Sequence, residues 1–201
     1  MEERYCINPS YIHRQDYIFF DDTPFKDEWQ NEVYQLASFG MHPDSQGKVL
    51  DIGCGSGFKL LKYFGEFNTI GVEINPTLAW LKEKHPNREW FPPGAKAIAS
   101  NKFEVIICSD VIEHLEDPEW LLNYIAGLDF RFLFFSTPDR SKLPEDQQLG
   151  PPVNKHHMRE WTAPEFHRFV SRHLNVRHQL NLHEHNGEQQ LLICTKKPGH
   201  C

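Results

Sequence analysis

The chain has no Cys-x-x-Cys pair, and its five cysteines, Cys6, Cys54, Cys108, Cys194 and Cys201, are widely spaced. An odd, scattered set of thiols suggests neither a disulfide framework nor a cysteine zinc site, so reduced thiols in the cytoplasm are the expectation. No apolar run reaches the roughly 18 residues of a membrane span. Glu2 and Glu3 stand where a signal peptide wants positive charge, which points to a soluble cytoplasmic protein with no membrane partner. Positive charge is also scarce. Twenty-one Lys plus Arg against 28 Asp plus Glu leave a net charge of −7, which repels a phosphate backbone and disfavours nucleic-acid partners. Internal repeats and low-complexity stretches are absent.

What is present suffices for one hydrophobic core: 201 residues, 39% of them hydrophobic and 13% aromatic. Residues 1–47 are rich in aromatics without strand-like alternation, and Trp29, Val33, Leu36 and Ala37 fall on one face of a helix. This segment is expected to form a cap packed on a second unit, 48–201. From Lys48 the pattern becomes short apolar runs (Lys48–Ile52, Thr69–Ile74, Phe103–Cys108, Arg131–Ser136) separated by helical stripes. Such runs suit buried parallel strands, and the alternation is βαβ. Asp117 before Pro118 is a helix start signal, and Thr162 with Glu165 caps another helix over Thr162–Leu174. Val176–His183 and Gln190–Thr195 are too close in sequence for a parallel crossover and must pair antiparallel. The expected fold is α/β: a doubly wound mixed sheet, mostly parallel with the last strand antiparallel, Rossmann-like.

The chemistry concentrates at three places. Val49-Leu-Asp-Ile-Gly-Cys-Gly-Ser-Gly57 ends the first strand and opens a helix, and its glycines Gly53, Gly55 and Gly57 permit a sharp turn and close approach to a ligand. A dinucleotide site wants G-x-G-x-x-G; here the third glycine comes one residue early and Phe58 takes its place, which argues against NAD. Twenty residues after Gly53, Glu73 closes the next strand, where a carboxylate can accept hydrogen bonds from both hydroxyls of a ribose. Cys108-Ser-Asp-Val-Ile-Glu-His-Leu-Glu-Asp-Pro118 follows the fourth strand and puts Ser109 and Asp110 at the ligand-binding edge, with Glu113 and His114 one turn on. The connection Pro138–Trp161 exceeds ordinary loop length and ends in His156, His157, Arg159 and Trp161, as a substrate-covering loop would.

The strand, D-x-G-x-G-x-G and following-strand Glu together resemble class I S-adenosylmethionine-dependent methyltransferases. The resemblance implies that S-adenosylmethionine lies along Asp51, Gly53, Cys54, Gly55 and Gly57, with Glu73 on the ribose, Ile74 beside the adenine, and Ser109 and Asp110 near the methyl group. Trp90 and Phe91, at the third strand, depart from the family's usual acidic residue there. Asp21-Asp-Thr-Pro, Glu28-Trp-Gln-Asn-Glu-Val-Tyr34, Ser136-Thr-Pro-Asp-Arg140 and Gly150–Trp161 extend the likeness to small bacterial-type enzymes associated with polysaccharide and glycosyltransferase functions.

Three functions compete. The first is O-methylation of a small hydroxyl acceptor such as a sugar or glycan end, with His114 or His157 as base, Asp110 or Glu113 orienting it, and no metal. The second draws on Asp110-x-x-Glu113-His114 with His157-Met-Arg-Glu-Trp161, which looks like the elements by which small-RNA 3′-terminal 2′-O-methyltransferases hold a divalent metal. The third is a non-catalytic cofactor-binding subunit, against which the intact glycine loop and Glu73 argue.

Overall fold

A computed structural model describes residues 4–21, 23–24, 29–41, 47–183 and 188–198. Asp22, Glu28, Cys201 and residues 184–187 lie outside them. Seven strands form one sheet: β1 (Lys48–Ile52), β2 (Asn68–Val72), β3 (Glu89–Phe91), β4 (Lys102–Ser109), β5 (Asp129–Pro138), β6 (Asn175–Asn181) and β7 (Gln189–Thr195). Their order is β3-β2-β1-β4-β5-β7-β6. The first five strands pair in parallel, and β7 runs antiparallel to both β5 and β6. The mixed, doubly wound sheet expected from the sequence is thus the fold, with the last strand, β7, antiparallel to both its neighbours.

Strands apolar on both faces need a core on each side. Leu50, Ile106 and Phe135 point into one, covered by α5 (Pro118–Ala126) and α6 (Ala163–Val170) and by Trp161. Val49, Val105 and Phe134 point into the other, covered by α1 (Asn31–Ser38), α2 (Phe58–Phe64) and α3 (Thr77–Lys84). A single turn, α4 (Lys96–Ala99), precedes β4. Asp117 accepts from Glu119 N at 3.1 Å and starts α5 with Pro118 in its first turn. The Glu165 carboxylate accepts from Thr162 N at 2.9 Å and closes the N-terminus of α6.

The amino-terminal residues are stitched to both cores. Tyr5, Ile7 and Tyr11 are buried with α6, where Trp161 Nε1 donates to Tyr5 O at 3.0 Å. Val33, Tyr34 and Ala37 seal the opposite face. The helical stripe is confirmed at Val33 and Ala37 but not at Trp29, which precedes α1 and stays 39% exposed on the wall of the cavity described below.

Gly71 in β2 leaves the room that the Trp90 ring of the neighbouring strand β3 occupies. A Cβ there would meet Trp90 Cζ3 at 2.3 Å and Cys54 Sγ at 2.8 Å. Gly71→Ala is therefore expected to destabilise the fold by about 1–3 kcal/mol through overpacking. Thermal unfolding checks this: a melting temperature equal to wild type would show that Trp90 moves aside without cost.

Candidate active site

A cavity of about 500 Å³ opens at the carboxyl ends of β1, β2, β4 and β5, the edge where open α/β sheets bind ligands. The loop after β1 forms its floor. Gly53, Gly55 and Gly57 have φ of +73°, +52° and +69°, left-handed values that side chains rarely adopt. Close packing fixes two of them as well: a Cβ on Gly53 would strike Val111 Cγ2 at 2.3 Å, and one on Gly57 would meet Trp90 at 2.9 Å. The Glu73 carboxylate reaches across from the end of β2 and accepts from Gly55 N at 3.0 Å and Ile74 N at 2.8 Å. Gly53, Gly55, Glu73, Ile74, Ser109, Asp110, His114 and His157 all line the cavity. Asp51, Cys54 and Gly57 lie behind its wall. Asp51 is fully buried and accepts from Tyr34 Oη at 2.9 Å, and Cys54 packs under Trp90.

Asp110 directly follows β4 at φ +53°. Its carboxylate accepts from Gln30 Nε2 at 2.9 Å, Ser136 Oγ at 3.0 Å and Gln189 Nε2 at 2.8 Å. Three donors use most of its lone pairs, so it anchors its neighbours and is not free to act as a base. Sequence reasoning missed Gln30 and Gln189. The only available signal for the second was a polar Gln-Gln pair opening an otherwise apolar strand.

One turn further, Glu113, His114 and His157 each bring a ligand-type atom within 4.8 Å of one another. Glu113 is fully buried. Its Oε2 accepts from Thr137 Oγ1 at 3.0 Å, whereas Oε1 has no hydrogen-bond partner among the described residues. Burial, and then the charge of Asp110, push its carboxyl well above the usual carboxylate range.

The two imidazoles meet edge to face with ring centres 4.8 Å apart. His114 Nδ1 lies 2.9 Å from the carbonyl of His156, which can only accept, so Nδ1 carries the proton and Nε2 a lone pair. Burial first, and then the neighbouring His157, push His114 down to about 4. His157 Nδ1 lies 2.6 Å from Glu160 Oε1 and donates to it. Its Nε2 accepts from Asn154 Nδ2 at 3.0 Å, an amide orientation fixed because Asn154 Oδ1 accepts from His156 N at 3.0 Å.

The long connection after β5 forms a packed wall from His157 to Trp161. Met158 N donates to Glu113 O at 2.7 Å, and Arg159 donates to the carbonyls of Leu115 and Glu116. Beside Asn154, His156 and His157 of this connection, an amino-terminal strap with Tyr17, Phe19 and Phe20 lines the same cavity. Arg14 donates to the carbonyls of His157 and Pro152, Phe20 stacks on His114 at 6.2 Å, and Tyr17 lies close enough to Glu73 to feel its charge.

Glycine loop, ribose-height carboxylate and cavity at the switch of a doubly wound sheet define a class I S-adenosylmethionine-dependent methyltransferase. The chain belongs to the methyltransferase domain family, whose profile matches residues 26–190. It is 26% identical over 132 residues to a ubiquinone biosynthesis O-methyltransferase from Albidiferax ferrireducens, covering 59% of this chain and 49% of that protein. It therefore spans about half the length of that curated relative. An S-adenosylmethionine-dependent methyltransferase from Clostridium acetobutylicum shares the fold at TM-score 0.61 and 15% identity, covering 81% of this chain and 92% of that one. A chain of the Pnkp1/Rnl/Hen1 RNA repair complex does so at TM-score 0.61 and 21% identity, covering 90% of this chain and 43% of that one. The cofactor is S-adenosylmethionine. Among the described residues, no helix is long and apolar enough to cross a membrane.

The depressed His114 has a signed consequence. Its folded value, about 4, lies below the ordinary 6.5, so the unfolded chain binds more protons between them. The stability tied to this neutral imidazole is complete above about pH 6.5 and is lost as the pH falls toward 4. In the chelator-treated protein, the His114 ring proton shift should stay flat from neutral pH down to about pH 5. A midpoint near the ordinary histidine value would contradict the burial described.

Proposed function

We propose that the enzyme transfers the methyl group of S-adenosylmethionine to a hydroxyl oxygen of a small acceptor, a sugar or glycan end. The observation that carries this reading is the imidazole pair at the cavity wall, with His157 backed by Glu160. A hydroxyl must lose its proton as its oxygen attacks, and a base oriented by a carboxylate suits that step. His157 Nε2 takes the proton once Asn154 yields, and Glu160 steadies the imidazolium through Nδ1–H. His114, neutral at physiological pH, accepts a hydrogen bond at Nε2 and aims the acceptor oxygen. The cofactor's sulfonium supplies the activated carbon, so the chain's remaining work is alignment and exclusion of water. Gly53 and Gly55 would hold the methionine portion, Glu73 would accept from the ribose hydroxyls, Ile74 would flank the adenine, and Ser109 and Asp110 would stand near the methyl group. Asp51, Cys54 and Gly57 shape the loop from behind. The name of the Albidiferax relative, an O-methyltransferase, supports transfer to oxygen. Cys6, Cys108 and Cys194 are buried thiols, which supports a reducing compartment such as the cytoplasm.

A second reading is favoured by the unpartnered Glu113 Oε1. Two neutral imidazoles and a buried carboxylate whose ionisation is costly fit a divalent cation, which would relieve that cost. Glu113, His114 and His157 would hold it, with Asp110 kept away by its three donors. The metal would then polarise the hydroxyl, as in methylation of an RNA 3′ end. The RNA repair complex shares the fold, and the net charge of −7 speaks against a polynucleotide acceptor.

Glu73→Gln should weaken S-adenosylhomocysteine binding by about 1–3 kcal/mol, read by calorimetric titration; wild-type affinity would remove Glu73 from the site. His157→Ala should lower turnover by about 10²–10⁴ with cofactor affinity nearly intact. Activity that a chelator abolishes and Mg²⁺ or Mn²⁺ restores would replace the metal-free reading by the second one.

A further inference from the structure

Among the described residues that line the cavity, one alone is a lysine or arginine: Lys59, in the first turn of α2. The same wall carries the carboxylates of Glu73, Asp110, Glu113 and Glu188. None of them forms an ion pair with it. Lys59 is only 9% exposed, and its ammonium makes no hydrogen bond to the described residues. What it meets is the Tyr34 ring, whose centre lies 5.8 Å from Nζ. A cation–π contact contributes about 0.5–2 kcal/mol and does not replace the water that burial removes from an ammonium. Nζ is not sealed, however. It keeps accessible surface, and the small exposed remainder of this side chain belongs to the cavity wall. A largely buried cation that reaches a ligand cavity without a counter-charge is costly until a ligand brings an anion.

Position decides which anion that is. The ammonium rests on Tyr34 of α1, a helix that packs over β4 and β5. Glu73 stands at the end of β2 and is tied to the glycine loop through Gly55 N. Because β1 and its loop lie between β2 and β4, the Glu73 carboxylate and the Lys59 ammonium stand on opposite sides of the loop. S-adenosylmethionine carries one anionic group, the carboxylate at the end of its methionine chain, remote from the ribose. With the ribose at Glu73 and the chain along the loop, that carboxylate arrives at Lys59. We propose that Lys59 is a specificity-determining residue for the cofactor, whose ammonium takes this carboxylate and so selects the intact amino-acid tail. The proposal rests on the cofactor placement given above and deepens it. Tyr34 acts as a positioning residue, since its hydroxyl donates to Asp51 Oδ2 at 2.9 Å and fixes the ring on which the ammonium lies. A site built around a compact, strongly hydrated charge rejects the ligand that lacks the counter-charge, because the ammonium is then left unpaired.

The test uses the full chain and two ligands: S-adenosylhomocysteine and its decarboxylated analogue, an adenosine bearing an aminopropylthio group. Calorimetric titration reads both affinities. Wild type should bind S-adenosylhomocysteine about tenfold to a hundredfold more tightly than the analogue. Lys59→Met and Lys59→Gln, which keep an unbranched chain over the Tyr34 ring, should close that gap by weakening S-adenosylhomocysteine alone. Lys59→Arg, which keeps the charge, should retain it. Melting temperature without ligand monitors the fold of each variant, and a merely structural lysine would weaken both ligands in equal proportion. That equal loss, equal affinities in wild type, or a gap that persists in Lys59→Met or Lys59→Gln overturns the proposal. A gap that persists in those variants while Glu73→Gln weakens both ligands would remove the lysine and leave the cofactor placement standing. A gap that depends on Lys59, with Glu73→Gln at wild-type affinity, would uphold the lysine and overturn the placement on which it rests.

Discussion

The arrangement depends on one carboxylate. Asp110 ends β4 in a left-handed conformation and is held by side chains from three other places: Gln30 before α1, Ser136 in β5 and Gln189 in β7. Aspartate tolerates the left-handed region better than most side chains, and here its carboxylate is fixed from three sides as well. Those sides are the amino-terminal cap, the parallel sheet and its antiparallel edge. The same knot turns the chain sharply after β4, so that Glu113 and His114 return to the cavity one turn later. It also ties the acceptor end of the site to the glycine loop through Val111, against which Gly53 packs without room for a Cβ.

Around that knot the site divides by polarity. The glycine loop and Glu73 offer backbone donors and a carboxylate, suited to the polar, charged cofactor. The opposite wall offers imidazoles, aromatic rings and the side-chain amides of Gln30, Asn154 and Gln189. His114 is kept neutral by burial and His157 is oriented by Glu160, so two chemically similar side chains take different parts. Phe20 on His114 and Arg14 on the wall carbonyls make the strap from the first 20 residues a structural part of this end of the cavity.

The sheet was legible in the sequence because buried parallel strands are apolar on both faces and their turns carry glycine or proline. Boundaries moved by one to four residues: the strand read as Phe103–Cys108 runs Lys102–Ser109, and the helix read as Thr162–Leu174 is Ala163–Val170 with a trailing turn. The glycine loop, Glu73 and the Glu113-His114 pair were legible because their chemistry is local in sequence. Long-range pairings were not. Nothing in the spacing shows that Gln189 would meet Asp110, 79 residues away, or that Gln30 would join them. Length alone made the Pro138–Trp161 connection look like a cover, whereas its last part is a wall held by hydrogen bonds that Met158 N and the Arg159 side chain donate to the carbonyls of Glu113, Leu115 and Glu116.

The central claim is that this cavity moves a methyl group from sulfur to a hydroxyl oxygen. The most direct measurement is carbon NMR of a reaction begun with S-adenosylmethionine labelled with ¹³C at its methyl, in the presence of methyl hexopyranosides. The account predicts that the sulfonium methyl signal declines while a methoxy signal grows on a glycoside, and that His157→Ala suppresses both changes. A label that emerges on nitrogen or carbon, or a methoxy signal that grows equally fast in the variant, would contradict it.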